Sequence, residues 1–407
     1  MKHNRRNFIK NTAALTALTA ISPVASFAKT DNSSFKSKKG NVFLTKPYLQ
    51  NPTETSITIM WIVNRPSYSY VEFGKSENLG LTANKIDSGL VVAYNRINSI
   101  SLTDLQPGTT YFYRVVSKEI SKFSPYNLEY GKTIKSTTYS FTTPDYNSED
   151  VSMLIFNDVH DRPESIPHLL NLVDTSSTDL VFFNGDIFNH MIDEEQIINH
   201  FLDTCGEEFA TETPFYFVRG NNETRGNFRA KLQQYFSNPE GKQYYDFKWG
   251  ATHFTVIDTG EDKPDDHEVY GGIVAFDAYR EEQLVWFKEV IKTNAYQEAK
   301  FRVVLMHIPM YYSDEWHGTT HVRKLFSSAF NEAEIDLCIS GHTHKYEVEK
   351  PKKNNKVDHN YPIIIGGGPK NGNRTIISLK ANAKELELKM VRDDGKEVGH
   401  IKLDSKR

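Results

Sequence analysis

Five short stretches hold the residues whose types and spacing suit chemistry: Asp158-Val-His160, Gly185-Asp186, Gly220-Asn221-Asn222-Glu223, Met306-His307 and Gly341-His342-Thr343-His344. Each closes an apolar run: "SMLIF", "DLVFF", "PFYFV", "FRVVL" and "DLCIS". Each supplies Asp, His or Asn, the oxygen and nitrogen donors that suit Mn, Fe, Zn or similar ions. A single such pair is ordinary at the end of a strand, where it more often faces solvent or closes a turn. Five in order are not ordinary. Strand ends line the ligand crevice of α/β folds, so residues distant in sequence converge there. The glycines preceding Asp186, Asn221 and His342 allow the tight turns this requires.

The elements that must position these residues follow from periodicity. After the polar linker "PDYNSED", apolar runs alternate with amphipathic stretches. Helices are expected near 166–173, 194–205, 228–236, 279–292 and 322–332. The pattern predicts an α/β domain over 151–403, closed by antiparallel strands. Upstream, 42–144 reads as short alternating strands with turn signals, including "TSITIMWIV" and "LQPGTTYFYRVV". That predicts an all-β, fibronectin type III-like sandwich with Trp61 and Tyr111 in its core. Leu105, Pro107, Tyr111, Tyr113 and Val115 have the spacing of a tyrosine corner.

The chain of 407 residues is long enough for both domains. Residues 1–28 carry a basic head, a short Ala/Thr/Leu stretch and small residues before a cut, and are expected to be an export signal. Adjacent Arg5 and Arg6, followed by Phe8, Ile9 and Lys10, fit the twin-arginine type. Export places the protein in the periplasm or outside the cell. Removing residues 1–28 takes away four basic residues and no acidic one, moving the net charge from −4 to about −8. No basic stripe indicates nucleic-acid binding, and no segment is suited to span a membrane. Cys205 and Cys338 are expected as two buried free thiols.

The order DxH, GD, GN, H, GHxH resembles the calcineurin-like metallophosphoesterase superfamily from about Val151 to Leu403. The upstream "YLQNPTETSITIMW" and "LQPGTTYFYRV" are similar to the N-terminal domain of purple acid phosphatases. The resemblance implies an α/β/β/α sandwich behind a fibronectin-like domain. It also implies two metal ions, divalent or trivalent Mn, Fe or Zn. Asp158, His160 and His344 would hold one ion, Asn221, His307 and His342 the other, and Asp186 would bridge them. Such a pair attracts phosphate esters and supplies a metal-bound hydroxide for attack on phosphorus.

Two departures stand out. Where purple acid phosphatases carry an iron-binding tyrosine, "GDIFNH" has Asn189, so no purple chromophore is expected. Where the family motif GNH has a histidine that protonates the leaving group, this chain has Asn222, which can donate a hydrogen bond but carries no titratable proton. His317, in a segment expected to be a loop after His307, is the candidate replacement acid, with His321 and His190 behind it. Gly260–Gly272, an acidic insertion, either covers the site or is a solvated loop. The reading is an exported phosphomonoesterase. A phosphodiesterase acting on nucleotide or lipid-headgroup esters, and a non-catalytic binding module, are the alternatives.

Overall fold

Successive residues of a strand face opposite sides of its sheet, so one strand can serve two cores. In the computed structural model, which describes residues 40–145 and 147–407, strand Phe301–Met306 does this. Val303 and Leu305 enter one core, Val304 and Met306 another. The first core is the space between two six-stranded sheets. Met153, Ile155, Phe182 and Tyr216 of one sheet meet Phe254, Val256, Leu305 and Ile339 of the other. The second core lies under helices Phe276–Val290 and His317–Glu332. Val322, Phe326 and Phe330, spaced four apart, cover Val304, Met306 and Cys338. On the opposite outer face, Phe183 stacks on Phe156 at 5.3 Å and meets Phe201 edge-on at 4.7 Å. The result is the α/β/β/α sandwich implied by the sequence. The export signal read at 1–28 lies outside the described residues.

Strand pairing explains why the motifs meet. Val151–Phe156, Leu180–Asn184 and Phe215–Val218 run parallel in one sheet. Thr252–Ile257, Phe301–Met306, Leu337–Ser340 and Ile363–Ile365 run parallel in the other. Parallel neighbours send their carboxyl ends to a common edge, and all five motifs lie just beyond such ends. Antiparallel strands Thr375–Ala381, Glu385–Arg392 and Glu397–Asp404 close the first sheet.

The upstream strands form an all-β unit around Ile59, Trp61, Val71, Tyr113 and Val115. The Trp61 indole N–H donates to Ser117 Oγ at 2.9 Å, and the Tyr111 hydroxyl accepts the Gln106 N–H at 2.9 Å, which is the corner read from the spacing. This unit is fastened to the α/β part by buried bonds to main-chain carbonyls: Gln50 Nε2 to Phe215 at 2.8 Å, Tyr48 Oη to Tyr235 at 3.0 Å and Tyr113 Oη to Thr211 at 2.7 Å. Cys205 and Cys338 are buried free thiols.

Helix boundaries differ from expectation where local hydrogen bonding decides them. The 166–173 helix is Ser165–Leu170, and 229–235 is a 3-10 helix. The helical stretch from Glu194 to Glu208 contains a π turn at Ile198–Leu202. Most consequential, the segment expected as a loop through His317 is already helix: His317 opens His317–Glu332, with the Thr320 N–H donating to the Trp316 carbonyl at 3.0 Å.

Candidate metal centre

Asp158 leaves its strand with one carboxylate oxygen restrained and the other free. Oδ2 accepts the His342 N–H at 2.9 Å and the Asn157 amide at 3.1 Å. Oδ1 is buried and makes no hydrogen bond. It faces His344 Nε2 at 3.4 Å and His160 Nε2 at 3.6 Å. Asp186 Oδ2 lies 3.6 Å from the same His160 nitrogen and 3.3 Å from His307 Nε2. Two ligand groups result, Asp158-His160-Asp186-His344 and Asp186-His307-His342, and Asp186 belongs to both. Asn221 joins the second, its Oδ1 2.8 Å from His342 Nδ1. All seven residues expected as ligands are thus brought together.

Backbone and hydrogen-bond partners fix the orientations. His307 Nδ1 sits 2.8 Å from the Asn184 carbonyl, which can only accept, so the proton is on Nδ1 and Nε2 is left for a ligand. Nε2 is buried without a hydrogen bond. His160 Nδ1 lies 3.0 Å from Asn189 Oδ1, which orients that ring in the same way. Asn189, at the position where a tyrosine ligand was expected in purple acid phosphatases, therefore acts on His160. Five of the seven ligands hold left-handed backbone: Asp158 (φ 54°), His160 (53°), Asp186 (52°), His342 (71°) and His344 (57°). Gly220 allows the strand end to approach so closely that a Cβ there would overlap the Asp186 carboxylate and the His307 ring.

Glu223 was part of a motif in the sequence, but its task was not readable there. Its buried carboxylate accepts the N–H groups of Gly220 at 2.6 Å, Phe188 at 2.9 Å and Asp186 at 3.0 Å, tying two strand-end loops together. Burial and the nearby Asp186 charge push its pKa up to about 7. Burial works against charge at Asp158, His160 and His307 too, and there ionic partners prevail, whereas at His342 burial prevails and lowers the pKa. The Asp186 charge lifts His307 to about 10, so an ion taking Nε2 would displace a proton from it. Asp158 raises His160 and is itself held low by His160 and His344. Carboxylate charge thus dominates the crevice, and cations are drawn to it.

Residues and ions fit. Asp158 Oδ1 and His307 Nε2, two buried polar atoms without hydrogen bonds, would both be satisfied by cations. Carboxylate, imidazole and amide donors suit Mn, Fe or Zn. The His344 side chain is 41% exposed, so this side of the centre opens to solvent.

Asn222 stands at the rim. Its N–H donates to Asp186 Oδ1 at 2.9 Å and its Nδ2 to Asp186 Oδ2 at 3.1 Å. Its Oδ1 accepts from Arg225 Nη1 at 2.8 Å. Arg225 was not singled out in the sequence. It is held by buried Glu261, with Nη2 to Oε2 at 2.8 Å and Nε to Oε1 at 3.0 Å. The acidic insertion therefore begins with a buried anchor for Arg225, which a solvated loop would not supply. His317 does not join the ligand groups: its Nε2 lies 2.8 and 2.9 Å from the two oxygens of Asp277, beside His321. His190 is exposed.

Comparison with known proteins accords with this geometry. Residues 151–346 match the calcineurin-like phosphoesterase family and 45–143 the purple acid phosphatase N-terminal domain. Purple acid phosphatase 22 of Arabidopsis thaliana is 25% identical over 360 residues, 83% of this chain and 74% of its own. Acid phosphatase type 7 of Mus musculus is 25% identical over 373 residues, 85% and 78%. The fold is shared with purple acid phosphatase PPD1 of yellow lupin (Lupinus luteus), at TM-score 0.66 and 18% identity over 90% of this chain and 74% of that one. It is shared also with PhoD, at TM-score 0.60 and 12% identity over 90% and 92%. The chain thus carries a calcineurin-like phosphoesterase domain at 151–346, with a purple acid phosphatase N-terminal domain in front of it at 45–143.

Proposed function

We propose that this protein is an exported phosphomonoesterase working with two metal ions, one on Asp158, His160 and His344, the other on Asn221, His307 and His342, with Asp186 shared. The observation that carries the reading is Asp186 lying within reach of both ligand groups. The broader class needs no proposal: this is a metal-dependent phosphoester hydrolase, like its purple acid phosphatase relatives. The non-catalytic reading falls away with that. Two bound cations acidify water and offset the charge developing on the phosphoryl group.

The chain's own residues supply orientation. Asn222 donates its amide N–H to the shared carboxylate, Asp186 Oδ2, and Arg225 fixes that amide by holding its oxygen. Neither side chain gives up a proton near neutral pH, so esters with good leaving groups suit the site best. Export is supported by the pattern of residues 1–28 and places the enzyme in the periplasm or outside the cell.

The Asn222–Arg225 pair also favours a second reading, hydrolysis of phosphodiesters, whose single charge needs less protonation on leaving. The deciding measurement is kcat/KM for a matched aryl phosphate monoester and diester, after reconstitution with Mn, Fe or Zn. Preference for the monoester upholds the proposal. Preference for the diester replaces it with the second reading. No turnover of either by metal-loaded protein refutes both.

A further inference from the structure

We infer that the protein holds a further cation, of the Zn, Co and Ni class, on Asp277, His317 and His321, between the first turns of helices Phe276–Val290 and His317–Glu332. This set shares no residue with the seven-ligand centre. His317 and His321 are four apart on one helix, so both rings lie on the same face, stacked at 5.5 Å and 19°. Asp277 faces them from the other helix. Its two oxygens lie 2.8 and 2.9 Å from His317 Nε2, and Oδ1 lies 3.2 Å from His321 Nδ1. The three ligand atoms fall within 4.8 Å of one another.

An independent observation points to a ligand. His321 Nδ1 is buried, on a side chain 11% exposed, and makes no hydrogen bond despite its closeness to Asp277. A buried nitrogen without a partner is unfavourable, and a cation would satisfy it. Burial also lowers the pKa of His321, which favours the neutral ring that metals require. Arg280 is the competing cation. Its Nη1 donates to Asp277 Oδ1 at 2.8 Å, but its Nε is committed to the Thr259 carbonyl and its Nη2 to that of Glu261. Asp277 Oδ2, bonded among the described residues only by His317, stays free of it. His317 and Asp277 are each about a third exposed, at 34% and 37%, so a cation can enter from solvent. Two imidazoles and one carboxylate with open positions select borderline metals over Mg or Ca.

Such an ion would staple the two helix starts together. It would also hold the turn below them, where the Gly318 N–H donates to the Asp262 carbonyl at 2.7 Å. Asp262 also receives Arg225 Nη2 at 3.2 Å, so the staple lies one contact from the residue that fixes Asn222.

The test is equilibrium dialysis of the full chain against Co2+, with the visible spectrum recorded, for wild type, Asp186→Asn, His321→Ala and the Asp186→Asn/His321→Ala double variant. We expect Asp186→Asn to retain a cobalt equivalent with a ligand-field band, and the added His321→Ala to remove it or weaken it at least tenfold. In the wild-type background His321→Ala should lose one equivalent. Equal binding with and without His321 overturns the inference, as does an Asp186→Asn protein that binds none. Because the count is made in the Asp186→Asn background, failure of the two-ion reading leaves the result interpretable. If His321→Ala does not fold by circular dichroism, Asp277→Asn replaces it. That variant keeps the side-chain volume and an acceptor for Arg280, and it must lose the same equivalent.

Discussion

Replacing Glu223 by glutamine should alter the stability of the chelator-stripped protein by an amount that depends strongly on pH. Glu223 is buried among three N–H donors but beside Asp186, and its pKa rises from 4.5 to about 7. For a carboxyl whose folded pKa is raised, the stabilising contribution is complete below about 4.5 and disappears as pH climbs through about 7. Between pH 5 and pH 8 the wild type therefore loses about 2–3 kcal/mol from this group alone. Glutamine has no proton to lose and mimics the neutral acid in size and in one acceptor. At pH 5 the variant should lie within about 1 kcal/mol of wild type, the scale of one altered hydrogen bond. At pH 8 it should be the more stable protein by about 2 kcal/mol. Urea unfolding at the two pH values, followed by tryptophan fluorescence, gives both differences. Titrations of groups remote from Glu223 are common to both proteins and largely cancel. A difference that stays constant within about 0.5 kcal/mol from pH 5 to 8 would refute the reasoning. Metal should reverse the preference, since cations beside Asp186 favour the ionised Glu223.

Asp186→Ala should remove the carboxylate common to both ligand groups and lower metal-dependent phosphoesterase activity by more than the roughly 10- to 100-fold that loss of a ligand's hydrogen-bond partner costs; activity near wild type would sink the two-ion proposal. Asn189→Ala releases His160 Nδ1 and should weaken metal binding by about 10- to 100-fold without unfolding the protein, measured by competition with a chelator. Arg225→Lys loses the forked hold on Asn222 and Glu261, and should lower kcat while leaving the metal content unchanged; unaltered kcat would deny Arg225 its positioning role. Tyr111→Phe removes the acceptor for the Gln106 N–H and should cost about 1 kcal/mol of stability with no change in kcat/KM.

What the sequence disclosed was set by the distance over which each signal acts. Ligands at strand ends were legible because apolar runs mark the strands and parallel pairing aligns their ends. The tyrosine corner was legible because Tyr111 reaches back only five residues to Gln106. Contacts between distant segments were not. Glu223 grips Asp186 and Phe188 more than thirty residues upstream, and Arg225 rests on Glu261 more than thirty downstream. Only "GNNETRG" and the acidic start of the insertion hinted that charges gather there. His317 was misplaced for a related reason. "YYSDEWHG" is polar and carries a glycine, as loops do, yet the Gly318 N–H is held by Asp262 from another segment and the helix begins one residue earlier.

The left-handed backbone at Asp158, His160, Asp186, His342 and His344 sets stability against activity within the same residues. Each non-glycine residue there carries a backbone penalty on the order of 1 kcal/mol, which glycine would largely relieve. A directed-evolution campaign that selected variants of this chain for thermal resistance alone would therefore erode the ligands early. At His344, whose side chain is 41% exposed, a glycine replacement would look like an improvement until substrate was added. Any such campaign on this scaffold must select on turnover in every round.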